Sequence, residues 1–254
     1  MKRDFVKKAP GARNLSRREM LHFTGATVAI ALMGSSPGQS GSRAPTRTAA
    51  VTAPSCVVRP QQTEGPYFMD EQLNRADIRS DPSDSSVKEG VPVRLGFHVS
   101  RIAGSACTPF SGAVVDVWQC DALGMYSDVQ DINGLFDTRG KKFLRGYQTA
   151  DASGTAQFIT IYPGWYPGRT VHIHFKIRTE PAAQRGFEFT SQLYFDEAIT
   201  DHVHAQAPYA TKGQRPLKND KDYIFRSGGS QLMPLLTKDA QGYVGTFDIG
   251  LQIT

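Results

Sequence analysis

Beyond residue 55, apolar and polar residues alternate every second position in run after run, and no heptad or internal repeat interrupts the pattern. The clearest run is Thr170-Val171-His172-Ile173-His174-Phe175-Lys176-Ile177. A strand sends successive side chains to opposite faces. Val171, Ile173, Phe175 and Ile177 therefore share one face, and His172 and His174 the other. Similar β-branched and aromatic runs predict strands at 91–100, 113–119, 143–149, 155–161, 189–195 and 243–253. Turn signals separate them: Ala150-Asp151-Ala152-Ser153-Gly154, Pro163-Gly164 and Asp239-Ala240-Gln241-Gly242. The polar stretches 77–89, 181–186 and 201–216 read as loops. The pattern predicts an all-β fold with long loops and little helix, an antiparallel sandwich or barrel.

The first 54 residues break this pattern. A basic opening leads to Ser16-Arg17-Arg18-Glu19-Met20-Leu21 and a moderately apolar segment at 23–33. This resembles a twin-arginine (Tat) export signal, and predicts a signal at 1–34, a Ser/Gly/Pro/Ala/Thr-rich linker at 35–54 and a folded domain at 55–254. The expected destination is the periplasm or the exterior. No uninterrupted apolar run reaches 18 residues, so no permanent membrane-spanning helix is expected in the mature form. The signal also reverses the charge argument. Nine of the 29 Lys and Arg, but two of the 24 Asp and Glu, lie in residues 1–50. The remainder is slightly acidic, which removes the case for nucleic-acid binding. Cys56, Cys107 and Cys120 all follow the linker. An oxidising compartment permits one disulfide, for which Cys107–Cys120 is the expected pair and Cys56 with either of them the rival. Their spacing fits no Cys/His zinc pattern.

Two imidazoles on one strand face, about 6–7 Å apart, can converge on a metal ion. Tyr166 precedes His172 by six residues in a turn bounded by Pro163-Gly164 and Pro167-Gly168, and feeds the same strand. Tyr126 ends the segment Gly112-Ala113-Val114-Val115-Asp116-Val117-Trp118-Gln119-Cys120-Asp121-Ala122-Leu123-Gly124-Met125-Tyr126. Phenolate oxygens with imidazole nitrogens suit Fe(III) better than a soft metal. A tyrosine with its ordinary pKa near 10 needs a strong Lewis acid to give up its proton at neutral pH. Among the remaining candidates, His202-Val203-His204 reads as solvated or edge loop, His98 as a core or edge histidine, and Asp116 and Asp121 as turn caps. A cupin-type Fe(II) or copper site wants carboxylate or sulfur ligands instead, and a non-catalytic secreted binding module wants no metal.

Four motifs occur in order: Gly-Ala-x-Val-Asp-x-Trp-x-Cys-Asp-Ala-x-Gly-x-Tyr (112–126), Pro-Gly-x-Tyr (163–166), Arg-x-x-His-x-His (169–174) and Ser-Gln-Leu-Tyr-Phe (191–195). Together they resemble the intradiol ring-cleavage dioxygenases, the protocatechuate 3,4-dioxygenase β-subunit-like branch in particular. The resemblance implies a β-sandwich of that family's type, a non-haem Fe(III) with no organic cofactor, and O2-dependent cleavage of a catechol-type diol to a cis,cis-muconate-type acid. It implies Tyr126 and His174 as equatorial ligands and Tyr166 and His172 as the axial pair, with Tyr166 also taking a substrate proton. Arg169 would lie beside the substrate ring and Gln192 behind it, and Gly65-Pro66-Tyr67 would line the substrate pocket. A homo-oligomer is compatible with the likeness. Two features depart from the family. Five residues, Pro167 to Val171, separate Tyr166 from His172 where about a dozen are common, and Gly168 replaces a frequent tryptophan. The pocket roof is therefore expected to be short and open.

Overall fold

The computed structural model describes residues 56–179 and 186–253. The export signal and linker expected at 1–54, and most of the loop expected at 181–186, lie outside the described residues. Nine strands follow in chain order: β1 (Pro92–Ala103), β2 (Ala106–Pro109), β3 (Val114–Trp118), β4 (Arg145–Thr149), β5 (Thr155–Ile161), β6 (His172–Arg178), β7 (Glu188–Tyr194), β8 (Leu235–Asp239) and β9 (Gly242–Gln252). Two α-helices, α1 (Glu197–His204) and α2 (Tyr223–Arg226), lie between β7 and β8. One sheet runs β2-β1-β9-β8, with β5 also paired to β1 along its first half; the other runs β4-β3-β6-β7. All pairings are antiparallel except β1 with β9, which is parallel. Among the described residues no helix is long and apolar enough to cross a membrane.

Alternation puts one face of each sheet into a shared core. Phe97 of β1 and Phe247 of β9 meet Phe175 of β6 across the interior, at ring-centroid distances of 5.3 and 5.5 Å. Such tilted and edge-on ring contacts add to what area burial alone supplies. The central strands β3 and β6 are buried on both faces. Their outer face is covered by loops that build a second, smaller cluster of Tyr67, Trp118, Cys120, Tyr126 and Val129. Tyr126 sits in that cluster and Tyr166 packs against it.

Several expectations are corrected. Cys56 pairs with Cys107, with a Cα–Cα distance of 5.9 Å, and Cys120 is a buried free thiol. Cys120 points into the second cluster, where its Sγ meets the Gly164 carbonyl. Cys107 lies on the edge strand β2, within reach of the start of the described chain. Cross-linking residues 51 apart should contribute about 2–4 kcal/mol, largely through the unfolded chain. Cys56→Ser combined with Cys107→Ser should lower the urea-unfolding free energy by about that amount; an unchanged midpoint would show that the cross-link contributes nothing.

His202-Val203-His204 lies in α1, not in a loop. The helix is capped by Asp196, whose side chain accepts from the Ala198 and Ile199 N–H groups. His204 is buried, meets the Pro163 carbonyl at 3.0 Å and stacks on Tyr209. Burial pulls its imidazole below 6.5. The folded state then binds fewer protons than the unfolded state as pH falls past 6.5, so this residue takes stability away on acidification. Unfolding free energies of His204→Gln should shift in the variant's favour, relative to wild type, between about pH 7.5 and 5.5; a pH-independent difference would remove His204 from the acid limb. His98 is neither core nor edge but exposed on the central strand β1, 2.8 Å from Asp248. Asp121 does cap a turn, accepting from the Leu123 and Met125 N–H groups. Asp116 does not: it lies in β3 and pairs with Arg178 at 2.8 Å.

Candidate metal centre

Strand register assembles the base of the site. Trp118 on β3 lies opposite His174 on β6, and His174 opposite Gln192 on β7; His172 lies opposite Tyr194. The result is a row of Trp118, His174 and Gln192 across three strands, with His172 one step along. Trp118 stacks on His174 with centroids 5.0 Å apart and planes within 9°. On the other side Gly65 stands so close that a Cβ there would come within 3.1 Å of His174 Cε1, and its φ of 74° also favours glycine. His174 thus has an indole stacked on it and a bare backbone in close contact.

The two tyrosines arrive on loops. Gly164 lets the turn before Tyr166 press onto the segment before Tyr126, because any Cβ there would overlap the Asp121 and Ala122 carbonyls. Tyr166 Oη lies 3.2 Å from His172 Nε2, and the Tyr126 and Tyr166 rings meet edge to face at 5.6 Å. His172 Nε2 lies 3.0 Å from His174 Nε2. Because His172 Nδ1 donates to the Thr170 carbonyl at 2.7 Å, its Nε2 carries the lone pair, toward which Tyr166 and His174 converge. All four side chains expected to gather do so.

Their electrostatics keep the imidazoles neutral and the phenols protonated in the metal-free chain. Burial, and then the Arg169 charge, hold His172 well below 6.5; burial and His172 do the same to His174. Both imidazoles are therefore neutral and available as ligands. Burial and the neighbouring Tyr166 push the Tyr126 phenol well above 10, while burial against the pull of Arg169 takes Tyr166 up to about 12. Tyr126 is fully buried, yet its hydroxyl makes no well-aligned hydrogen bond, although it approaches Tyr166. A buried hydroxyl without a partner costs about 1–3 kcal/mol, and a cation bound by the phenolate would relieve it. This donor set fits Fe(III) held by Tyr126, Tyr166, His172 and His174.

Arg169 lies beside the cluster, its Nη1 3.5 Å from His172 Nε2. It donates to Gln192 Oε1 at 2.7 Å and to Asp222 Oδ2 at 2.8 Å. Gln192 Nε2 in turn donates to the Thr63 carbonyl at 2.8 Å, and Tyr194 Oη to Gln192 Oε1 at 2.9 Å. Gly65, Pro66 and Tyr67 line a cavity of about 690 Å³ that opens onto Tyr166 and Arg169.

Sequence reasoning missed two residues that build this site. Arg145, buried in β4, donates to the Tyr67 carbonyl at 2.6 Å and to the Ser127 carbonyl and hydroxyl, pinning the backbone beside both Tyr67 and Tyr126. Asp222 is fully buried and accepts from Arg169 and from the Thr170, Ile224 and Phe225 N–H groups. A capping signal stood in Asp222-Tyr223-Ile224-Phe225; the contact with Arg169 had none.

Comparison with known proteins bears on the family and the fold. The dioxygenase family model matches residues 63–222. The protocatechuate 3,4-dioxygenase β chain of Burkholderia cepacia is 30% identical over 139 residues, which cover 51% of this chain and 56% of that one. The chain thus spans about half the length of this relative. Among solved structures, an intradiol ring-cleavage dioxygenase from Tetranychus urticae is 28% identical and superposes with a TM-score of 0.66, covering 78% of this chain and 95% of that one. The dioxygenase domain of a dioxygenase carbohydrate-binding protein fusion from Streptomyces sp. SirexAA-E is 29% identical at a TM-score of 0.54, covering 78% and 100%. With motifs, sandwich and family match coinciding over one span, the chain belongs to the dioxygenase family, in its intradiol ring-cleavage branch.

Proposed function

We propose that this chain is a non-haem Fe(III) intradiol dioxygenase. It cleaves a catechol-type diol between its two hydroxylated carbons with O2 and gives a cis,cis-muconate-type dicarboxylic acid, without an organic cofactor. The observation that carries this reading is the buried Tyr126 hydroxyl, without a well-aligned hydrogen bond, beside two neutral imidazoles whose Nε2 atoms meet at 3.0 Å. Among the described residues no group of three or more His, Cys, Asp or Glu could hold a metal, which disfavours the cupin-type and copper alternatives.

When bound by Tyr126, Tyr166, His172 and His174, Fe(III) would supply Lewis-acid polarisation of the diol toward O2. Tyr166 lines the cavity, so with the metal bound its phenolate would be placed to take a proton from a diol hydroxyl. The Arg169 guanidinium stabilises negative charge developing on the ring. Gln192 and Asp222 hold that guanidinium from two sides, and Pro66 and Tyr67 wall the ring from solvent. We extend the proposal to export. The twin arginine supports it, and the Cys56–Cys107 disulfide suits an oxidising compartment.

Oxygen uptake with a catechol panel, under isotopically labelled O2, tests the reaction. The ring-opened product should carry both labelled atoms; an intact ring or a single label would refute it. Tyr166→Phe should shift the visible band of the iron-loaded protein and slow turnover at least about a hundredfold. An unchanged spectrum and rate would remove Tyr166 from the metal.

A further inference from the structure

The cavity is built for more than a bare catechol ring. Its volume of about 690 Å³ falls within the range that encloses a drug-sized ligand. A hairpin closed by the Gln130–Asp137 bridge overhangs it. Asp131 organises this hairpin: its Oδ2 accepts from the Asn133 and Leu135 N–H groups, and its Oδ1 accepts from Tyr67 Oη at 2.5 Å. The same tyrosine walls the diol position, so hairpin and diol site are mechanically joined. The hairpin tip carries Ile132 and Leu135 on the cavity lining while leaving them 74% and 65% exposed. Leu123, also on the lining, is 39% exposed. Single exposed apolar residues need no explanation, but three around one cavity mouth form an apolar rim.

Both cations on the lining have hydrogen-bond partners of their own. Arg169 is paired with Asp222. Lys212 Nζ donates to the Leu123 and Trp165 carbonyls and lies 4.6 Å from the Trp165 ring centroid. The third charged side chain on the lining is Asp131, an anion. On the hairpin itself the charge is the Asp131 anion, next to Ile132, and it opposes a carboxylate substituent seated against Ile132 and Leu135.

We infer that the preferred substrate is a catechol bearing a bulky, uncharged apolar substituent, seated against Ile132 and Leu135 of the hairpin, in preference to a carboxylated or unsubstituted catechol. This deepens the ring-cleavage reading and rests on it.

The test compares 4-tert-butylcatechol, catechol and protocatechuate on the iron-loaded full chain and on Ile132→Ser/Leu135→Ser. Both substituted positions are exposed, and thermal unfolding checks that the variant folds. In the wild type, kcat/KM for the alkyl catechol should exceed that for catechol about tenfold or more, and that for protocatechuate by a larger factor. In the variant the alkyl-to-catechol ratio should fall at least about tenfold, mainly through KM. Equal ratios in both proteins, or a preference for protocatechuate, would overturn the inference while leaving ring cleavage intact. Binding of the same probes, read by Trp165 fluorescence, separates the two claims. Tighter binding of the alkyl catechol, lost in the variant, would support the apolar seat even where no probe is cleaved. Equal affinity for all three would sink it.

Discussion

Tyr126→Phe should abolish iron binding and ring cleavage while leaving the metal-free fold as stable as before, or slightly more so. The two halves of this result have one cause. Tyr126 lies fully buried and its hydroxyl approaches Tyr166 without forming a well-aligned hydrogen bond, so the metal-free chain loses little when the oxygen is removed. Replacing an unsatisfied buried hydroxyl by hydrogen is neutral or stabilising, by up to about 1 kcal/mol. The iron-loaded chain, in contrast, loses an anionic oxygen ligand. Mutating residues that merely support a ligand already costs about 10–100-fold in affinity or activity, and a ligand should cost more. Iron content, visible absorbance and turnover should therefore collapse together while the urea midpoint of the apo chain holds. A variant that unfolds more easily but keeps its iron would make Tyr126 a structural tyrosine and nothing else.

Asp222→Ala is expected to destabilise the protein by about 3–5 kcal/mol, the usual cost of breaking a buried ion pair from one side. The loss has two parts. Arg169 keeps its charge in a half-buried place without its partner, and the Thr170, Ile224 and Phe225 N–H groups lose their acceptor. Burial alone would raise the Asp222 carboxyl, but the Phe225 and Thr170 N–H groups and the Arg169 guanidinium hold it below 3.8. Its contribution is therefore present above pH 3.8 and fades as acid protonates it, so wild type and variant should converge at low pH. Asp222→Asn is the gentler probe. Its amide can accept toward Arg169 and Thr170 or toward Ile224 and Phe225, but not both. Below its melting temperature it should show a reduced kcat if, as proposed, Arg169 stabilises the developing charge and Asp222 sets its position. If kcat stays at the wild-type value while stability falls, Asp222 is a helix cap and has no part in positioning.

The strand period made much of this fold legible. β5 occupies 155–161 as the alternation predicted, bounded by Gly154 and Pro163. The same period set His172 and His174 on one face, because residues two apart in a strand cannot do otherwise. Strands β2 and β8 escaped notice. One has four residues, and the other faces solvent, so neither displays a buried alternation. Helix α1 had a readable start in Asp196-Glu197 and a helical pair in Ile199 and Val203, masked by the second His-x-His motif. The rest of the site was carried by tertiary contacts. Arg145 reaches Tyr67 from 78 residues away and Asp222 reaches Arg169 from 53, and no local pattern encodes either. The pairing of Cys56 with Cys107 is of the same kind, since cysteine spacing does not determine connectivity.

Anomalous diffraction at the iron edge, from crystals of the iron-loaded chain, addresses the four-ligand centre most directly. The account predicts one strong peak, bonded to Tyr126 Oη, Tyr166 Oη, His172 Nε2 and His174 Nε2. A peak elsewhere, or one bonded to the histidines with either phenol turned away, would contradict it.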